Sequence, residues 1–164
     1  MSIKKITITD VAQQAGVSVT TVSLVLSGKG RISPTTVEKV NQAIEQLGYV
    51  RNRQAATLRG GESGVIGLIL RDICEPFYAE MTAGLSEALE AHDKLLFLTQ
   101  SGRDGQGLQR AFDALLAQGV DGIVLAGGIR AAAGLKEKAA EQGVPLVCVA
   151  RSSGLDGVDV VRPD

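Results

Sequence analysis

The sequence predicts two unlike modules: an all-α head with a helix-turn-helix and a hinge helix, then an α/β domain built on a parallel sheet. Three observations predict this. Up to Gly48, apolar residues recur at spacings of three and four between capping residues and glycines, as short amphipathic helices require. From Val65 onward, uninterrupted apolar runs alternate with amphipathic stretches, which is how buried parallel strands and their crossover helices read. Charge divides at the same place. Residues 1–60 carry eight basic and three acidic side chains, a net of +5, while residues 61–164 carry a net of −6. The overall charge of −1 hides this asymmetry, and a basic head on an acidic body concentrates attraction for a polyanion in one place.

The head is read in order as follows. Thr7 caps a first helix, with Asp10 at N3 in a Thr-x-x-Asp variant of the capping box, and Val11, Ala12 and Ala15 form its apolar face. Gly16 suits a left-handed turn, and Ser18 caps a second helix whose buried side is Val22, Val25 and Leu26. The other side offers Thr20, Thr21 and Ser23, short hydroxyls near a helix N-terminus, which fit a DNA groove. A plain helical hairpin presents a polar surface too. Lys29 and Arg31 flank Gly30 in a basic loop beside that helix, placed for a phosphate or a base edge, or simply for solvent. Ser33 caps a third helix with Pro34 at N1, an apolar stripe of Val37, Val40, Ile44 and Leu47, and Gly48 at its end.

Residues 49–64 read as a hinge helix and linker. Asn52 caps a short helix running Arg53 to Arg59, with Leu58 as its one large apolar side chain. Such a helix fits a minor groove, where an apolar wedge enters a base step while Arg51, Arg53 and Arg59 meet phosphates; a charged linker is the alternative. Gly60, Gly61 and Gly64 mark a flexible boundary. Residues 65–164 form the body. Val65–Leu70, Leu95–Thr99, Gly122–Ala126 and Leu146–Val149 read as fully buried strands, with helices over roughly 78–91, 106–118 and 131–142 on both faces. Ligands of such sheets sit beyond the carboxyl ends of the strands, where Asp72, Phe77, Arg130 and Arg151 are best suited to hold a polar molecule.

Several functions are disfavoured. No G-x-G-x-x-G or P-loop is present, His92 is the sole histidine, and the acids show no metal-ligand spacing. No catalytic residue, cofactor or metal is therefore expected. Cys74 and Cys148 make no disulfide framework, the N-terminus lacks a secretory apolar run, and nothing approaches the ~18 apolar residues of a membrane span. A cytoplasmic protein without membrane contact is expected.

The stretches ITITDVAQQAGVSVTTVSLVLSGKGRIS, TVEKVNQAIEQLGYVRNRQAATLR, GVIGLILRDICEPFYAEMTAGLSEA and QGVDGIVLAG resemble the lactose- and galactose-repressor family of bacterial transcription factors. Within it, LSGKGRIS, VRNRQA and LRGGESGVIGLI resemble members that control maltose-related genes. The resemblance implies a homodimeric repressor on a palindromic double-stranded DNA operator. Val19, Thr20, Leu24 and Arg31 would then read bases, and Thr7, Ser18, Thr21, Ser23, Ser27, Ser33, Thr36 and Asn52 would meet the DNA backbone. Ala55, Leu58 and Arg59 would form the minor-groove hinge. The body would be a periplasmic-binding-protein-like first lobe that senses a small sugar-like effector through its differential affinity for two states.

Departures from the family pattern bear on specificity. Leu24 stands where many members carry an arginine, so the guanine contact of that arginine is absent and thymine methyls are the expected partners. Ala150 replaces an aspartate beside Arg151, which argues against an ordinary neutral sugar. Family members continue into a second lobe, so the body is expected to be incomplete, with impaired effector response and uncovered apolar faces. Two other functions compete with the repressor: a small-ligand module whose head contacts protein, and a nucleotide or phosphosugar enzyme. The head's charge argues against the first, and the first βα loop shows no convergent acid, base or phosphate-binding groups for the second.

Overall fold

The computed structural model describes residues 5–53, 57–58, 61–127, 134–149 and 156–162. Contacts group the chain into two compact units that divide between Asn52 and Arg53. The first unit holds three helices, α1 (Ile8–Ala15), α2 (Val19–Ser27) and α3 (Pro34–Leu47). Asp10 turns back on Thr7, accepting its backbone N–H and its hydroxyl, each at 2.8 Å. Ser18 Oγ accepts from the Thr21 amide, and Ser33 Oγ from the Thr36 amide. All three helices stop at a left-handed glycine, Gly16, Gly28 and Gly48. Val11, Val22 and Val40 are wholly buried at the centre with Ala12 and Ala43, and Ile8, Val25, Leu26, Ile44 and Leu47 pack around them. Ala43 occupies a core place that the periodicity gave to Val37, which is only half-buried.

The second unit is a five-stranded parallel sheet in the order β2-β1-β3-β4-β5. Its strands are β1 (Val65–Leu70), β2 (Leu95–Gln100), β3 (Gly122–Ala126), β4 (Leu146–Val149) and β5 (Asp159–Val161). Its helices are α4 (Pro76–Glu90), α5 (Leu108–Ala117) and α6 (Leu135–Glu141). One face is covered by α5 and α6: Phe112, Leu108, Leu115 and Leu135 pack on Ile69, Ile123, Leu125 and Cys148. The other is covered by α4, through Phe77, Tyr78, Met81 and Leu85 on Leu68, Leu70 and Ala126. Gly67 lets α5 approach β1 closely, because a Cβ there would lie 2.6 Å from Leu115 Cδ1.

Two expectations change. Leu95–Thr99 was expected to be fully buried, but β2 is an edge strand with one neighbour, and Leu95, Phe97 and Leu98 are exposed. β4 is mostly half-buried, and its outer neighbour β5 is a three-residue strand that apolar patterning alone passes over.

The boundary segment is also not a free linker. The Asp121 carboxylate, just before β3, accepts the Ser63 amide at 2.7 Å, the Ser63 hydroxyl at 2.9 Å and the Gly64 amide at 2.8 Å. Lys94 stands 3.6 Å from the same carboxylate and 2.9 Å from Glu62, and the Glu62 contact raises its pKa. Arg53 bonds both the carboxylate and the backbone carbonyl of Asp93. Partial burial pushes the Asp121 carboxyl up, but the hydrogen bonds from Ser63 and Gly64 and the charge of Lys94 outweigh it and hold it below the usual carboxylate range. A carboxyl with a depressed folded-state pKa stabilises fully above its unfolded value of about 4 and loses that contribution as pH falls through the folded value. Urea midpoints measured at about pH 6 and pH 3 should therefore fall less for Asp121→Asn than for the parent. Equal falls in the two proteins would remove this role.

Candidate nucleic-acid interface

On α2 the buried and outward sides follow from helical spacing. Val22 is fully buried, and Thr20, Leu24 and Ser27, at i, i+4 and i+7, lie on the side away from it. Val19 is 37% exposed and Thr20 is exposed, while Thr21, Ser23 and Leu24 are half-buried. The outward side therefore mixes methyl groups with hydroxyls, which suits thymine methyls and base-edge acceptors.

Leu24 has a second duty. The loop after α2 reverses through Gly28 and Gly30, both at positive φ, and brings Gly30 onto Leu24. A Cβ on Gly30 would lie 3.6 Å from Leu24 Cδ2, and the Lys29 amide bonds the Leu24 carbonyl at 3.2 Å. Leu24 is thus packed under the loop that carries Lys29 and Arg31, and the two cations have no acidic partner among the described residues.

The hydroxyls expected at the DNA backbone divide by their hydrogen bonding. Ser18 Oγ and Thr21 Oγ1 share a hydrogen bond at 2.8 Å, and Ser33 Oγ and Thr36 Oγ1 do the same. Each pair has two protons and uses one internally, so one O–H per pair remains for an outside acceptor. Thr7 gives its proton to Asp10, and Ser27 gives its own to the Leu24 carbonyl at 3.1 Å, so both must rotate to donate elsewhere. Ser23 has no such tie among the described residues.

The remaining expected sites are more scattered. Asn52 is exposed at the end of the first unit. In the second, Arg53 and Thr57 are helical, the Thr57 hydroxyl bonds the Arg53 carbonyl at 3.0 Å, and Leu58 is 88% exposed. Ala55 and Arg59 lie outside the described residues. Two arginines read as phosphate contacts are committed within the protein instead. Arg51 donates to the Leu26 carbonyl at 3.0 Å, an open carbonyl in the last turn of α2, and Arg53 pairs with Asp93 at 2.9 Å. Of the ligand residues expected on the body, Asp72 is tied to Arg103, Phe77 packs edge-on to Tyr78 over the α4 core, and Arg130 and Arg151 lie outside the described residues. No cluster of metal-ligating side chains occurs among the described residues, and none of their helices is long and apolar enough to cross a membrane.

Comparison with known proteins agrees with this division. Residues 7–52 match the model of bacterial regulatory proteins of the lacI family, and residues 63–164 match the periplasmic binding proteins and sugar binding domain of the same family. Over 161 residues the chain is 62% identical to the maltose regulon regulatory protein MalI of Escherichia coli strain K12, covering 98% of this chain and 47% of that protein. A protein of the same description from Vibrio furnissii is 56% identical over 123 residues, which are 75% of this chain and 90% of the relative. The chain thus spans about half the length of the Escherichia coli relative. A crystal structure of the Lac repressor dimer bound to operator and an anti-inducer superposes with a TM-score of 0.75 at 26% identity, covering 97% of this chain and 48% of that one.

Ser18 is both the cap of α2 and half of a hydroxyl pair, so its removal has a defined cost. Ser18→Ala should lower the stability of the first unit by about 1 kcal/mol, read from its thermal unfolding. No change would mean that the α2 amides find other acceptors.

Proposed function

The chain belongs to the LacI family of bacterial regulatory proteins, and on that premise we propose that it acts as a sequence-specific, DNA-binding transcriptional repressor. It works as a homodimer on a palindromic operator, with maltose-related genes as the favoured targets. The observation that carries this reading is the outward side of α2, where Val19, Thr20 and Leu24 stand beside a loop presenting Lys29 and Arg31. Val19, Thr20, Leu24 and Arg31 read bases. The open O–H groups of Ser18/Thr21 and Ser33/Thr36, with Thr7, Ser23, Ser27 and Asn52, position the DNA backbone. Residues 1–48 form the head, 49–64 the hinge with Ala55, Leu58 and Arg59 toward the minor groove, and 65–164 the first lobe of an effector domain.

The relatives are transcription regulators, and this chain is read as a regulator with no enzymatic activity, working in the cytoplasm. Its effector is a small sugar-like molecule held at the carboxyl ends of the strands, where Asp72 and Phe77 lie near the starts of the first loop and α4; Arg130 and Arg151 are the further contacts assigned to it.

Selection from a palindromic DNA library, at about 50 and 200 mM salt, tests the proposal. One AT-rich palindrome should be enriched, and its affinity should fall by orders of magnitude between the two salt levels as counterions are released. Leu58→Ala should weaken that complex by at least about tenfold through loss of the wedge. Thr20→Ala should relax selection at one position in each half-site. Binding without sequence selection, indifferent to Leu58, would overturn the reading.

A further inference from the structure

We propose that Arg51 is a positioning residue for DNA recognition: by bonding the end of α2, it fixes where the chain leaves the first unit and hence where the hinge residues begin. This rests on the DNA reading above and gives a role to a residue that the reading leaves without one.

A helix ends in carbonyls that no following amide reaches. Three of these in α2 have partners. The Leu24 carbonyl accepts the Lys29 amide at 3.2 Å and the Ser27 hydroxyl at 3.1 Å, and the Val25 carbonyl accepts the Gly28 amide at 3.2 Å. The Leu26 carbonyl is met from 25 residues further along the chain, by Arg51 Nη1 at 3.0 Å. α2 has no basic residue in its own last turn, so Arg51 also brings the positive charge that a helix C-terminus favours.

Both ends of this bond are anchored. Val25 and Leu26 pack on the buried centre of the head, so the accepting carbonyl belongs to a held turn. On the donating side, α3 stops at left-handed Gly48, and Tyr49 gives its amide to the Ile44 carbonyl at 3.0 Å and packs on the same centre. Only the exposed Val50 separates Tyr49 from Arg51. The chain is thus held at two points just before Asn52, the last residue of the unit. Two fixed points define a direction, which one does not.

A phosphate contact is the other role open to a basic side chain here. Turning the guanidinium to DNA would give up the bond and reopen the Leu26 carbonyl. Salt separates the two roles. A phosphate contact releases counterions and adds about 0.9 to the slope of log affinity against log salt, whereas a bond inside the protein adds nothing.

The test uses the full chain, the operator selected from the library, and Arg51→Met, Leu58→Ala and the double variant. Arg51→Met keeps the apolar stem and removes every donor. It should weaken operator binding by about tenfold and leave the salt slope unchanged. With the exit point unfixed, Leu58→Ala should cost less than about threefold in Arg51→Met, against at least about tenfold in the parent. A substitution that merely loosened the head would leave the Leu58 cost at its parental size. Without DNA, the carbonyl carbon-13 resonance of Leu26 should shift in Arg51→Met, which reads the bond directly. In a parent chain that selects its operator, a slope lower by about one per head, an undiminished Leu58 cost or an unmoved Leu26 resonance would each overturn the proposal alone. A parent chain that selects no operator would overturn the DNA reading itself, and this role with it.

Discussion

A helix that starts in water leaves its first amides open, and the head is organised by where those amides go. Its buried centre is only three valines and two alanines, too small to fix three helices by burial alone. Local hydrogen bonds therefore carry an unusual share of the specification. Asp10 closes back on Thr7, Ser18 and Ser33 cap the next two helices, and left-handed glycines end all three. The same economy prepares the surface: a serine and threonine bonded across one helical turn hold the cap and still keep one proton to give.

Interactions of this kind span three or four residues, which is why the head was so legible. The caps, the glycine stops and the buried side of α2 all follow from short-range spacing. In the body, the bounds of β1, β3 and β4 follow from apolar runs alone, because a strand flanked on both sides has no polar face to interrupt it. Position within the sheet is not encoded that way. LLFLT is as apolar as VIGLIL, yet one is the edge and the other is flanked on both sides, a difference set by strand order rather than by composition. Pairings over long separations were equally hidden. Arg51 meeting Leu26, Arg53 meeting Asp93 and Asp121 meeting Ser63 cross 25, 40 and 58 residues, and nothing in the local pattern marks them. The Arg103–Asp72 pair escaped for the same reason, since its partners meet only when β1 and β2 align.

The two ends of the sheet are held by different contacts. At the amino ends of β1, β2 and β3, the Asp121 clasp and the Arg53–Asp93 pair anchor the chain that enters the sheet. At the carboxyl ends the Arg103–Asp72 pair joins the loop after β1 to the loop after β2. β1 runs between them, with Val65 beside the clasp and Leu70 at the other end. Control of DNA binding by a ligand requires that it bind two arrangements of the anchored end with different affinity, and tight binding alone accomplishes nothing.

The contact between Gly67 and Leu115 bears on how such a protein can change over generations. A carbon on Gly67 would meet the tip of Leu115, so a larger residue there needs Leu115 to turn aside or shrink, or α5 to move. Shrinking Leu115 first opens a void against β1, which is itself a loss. A change at either position alone therefore alters the packing at the other, and the route between alternative packings passes through a weaker intermediate.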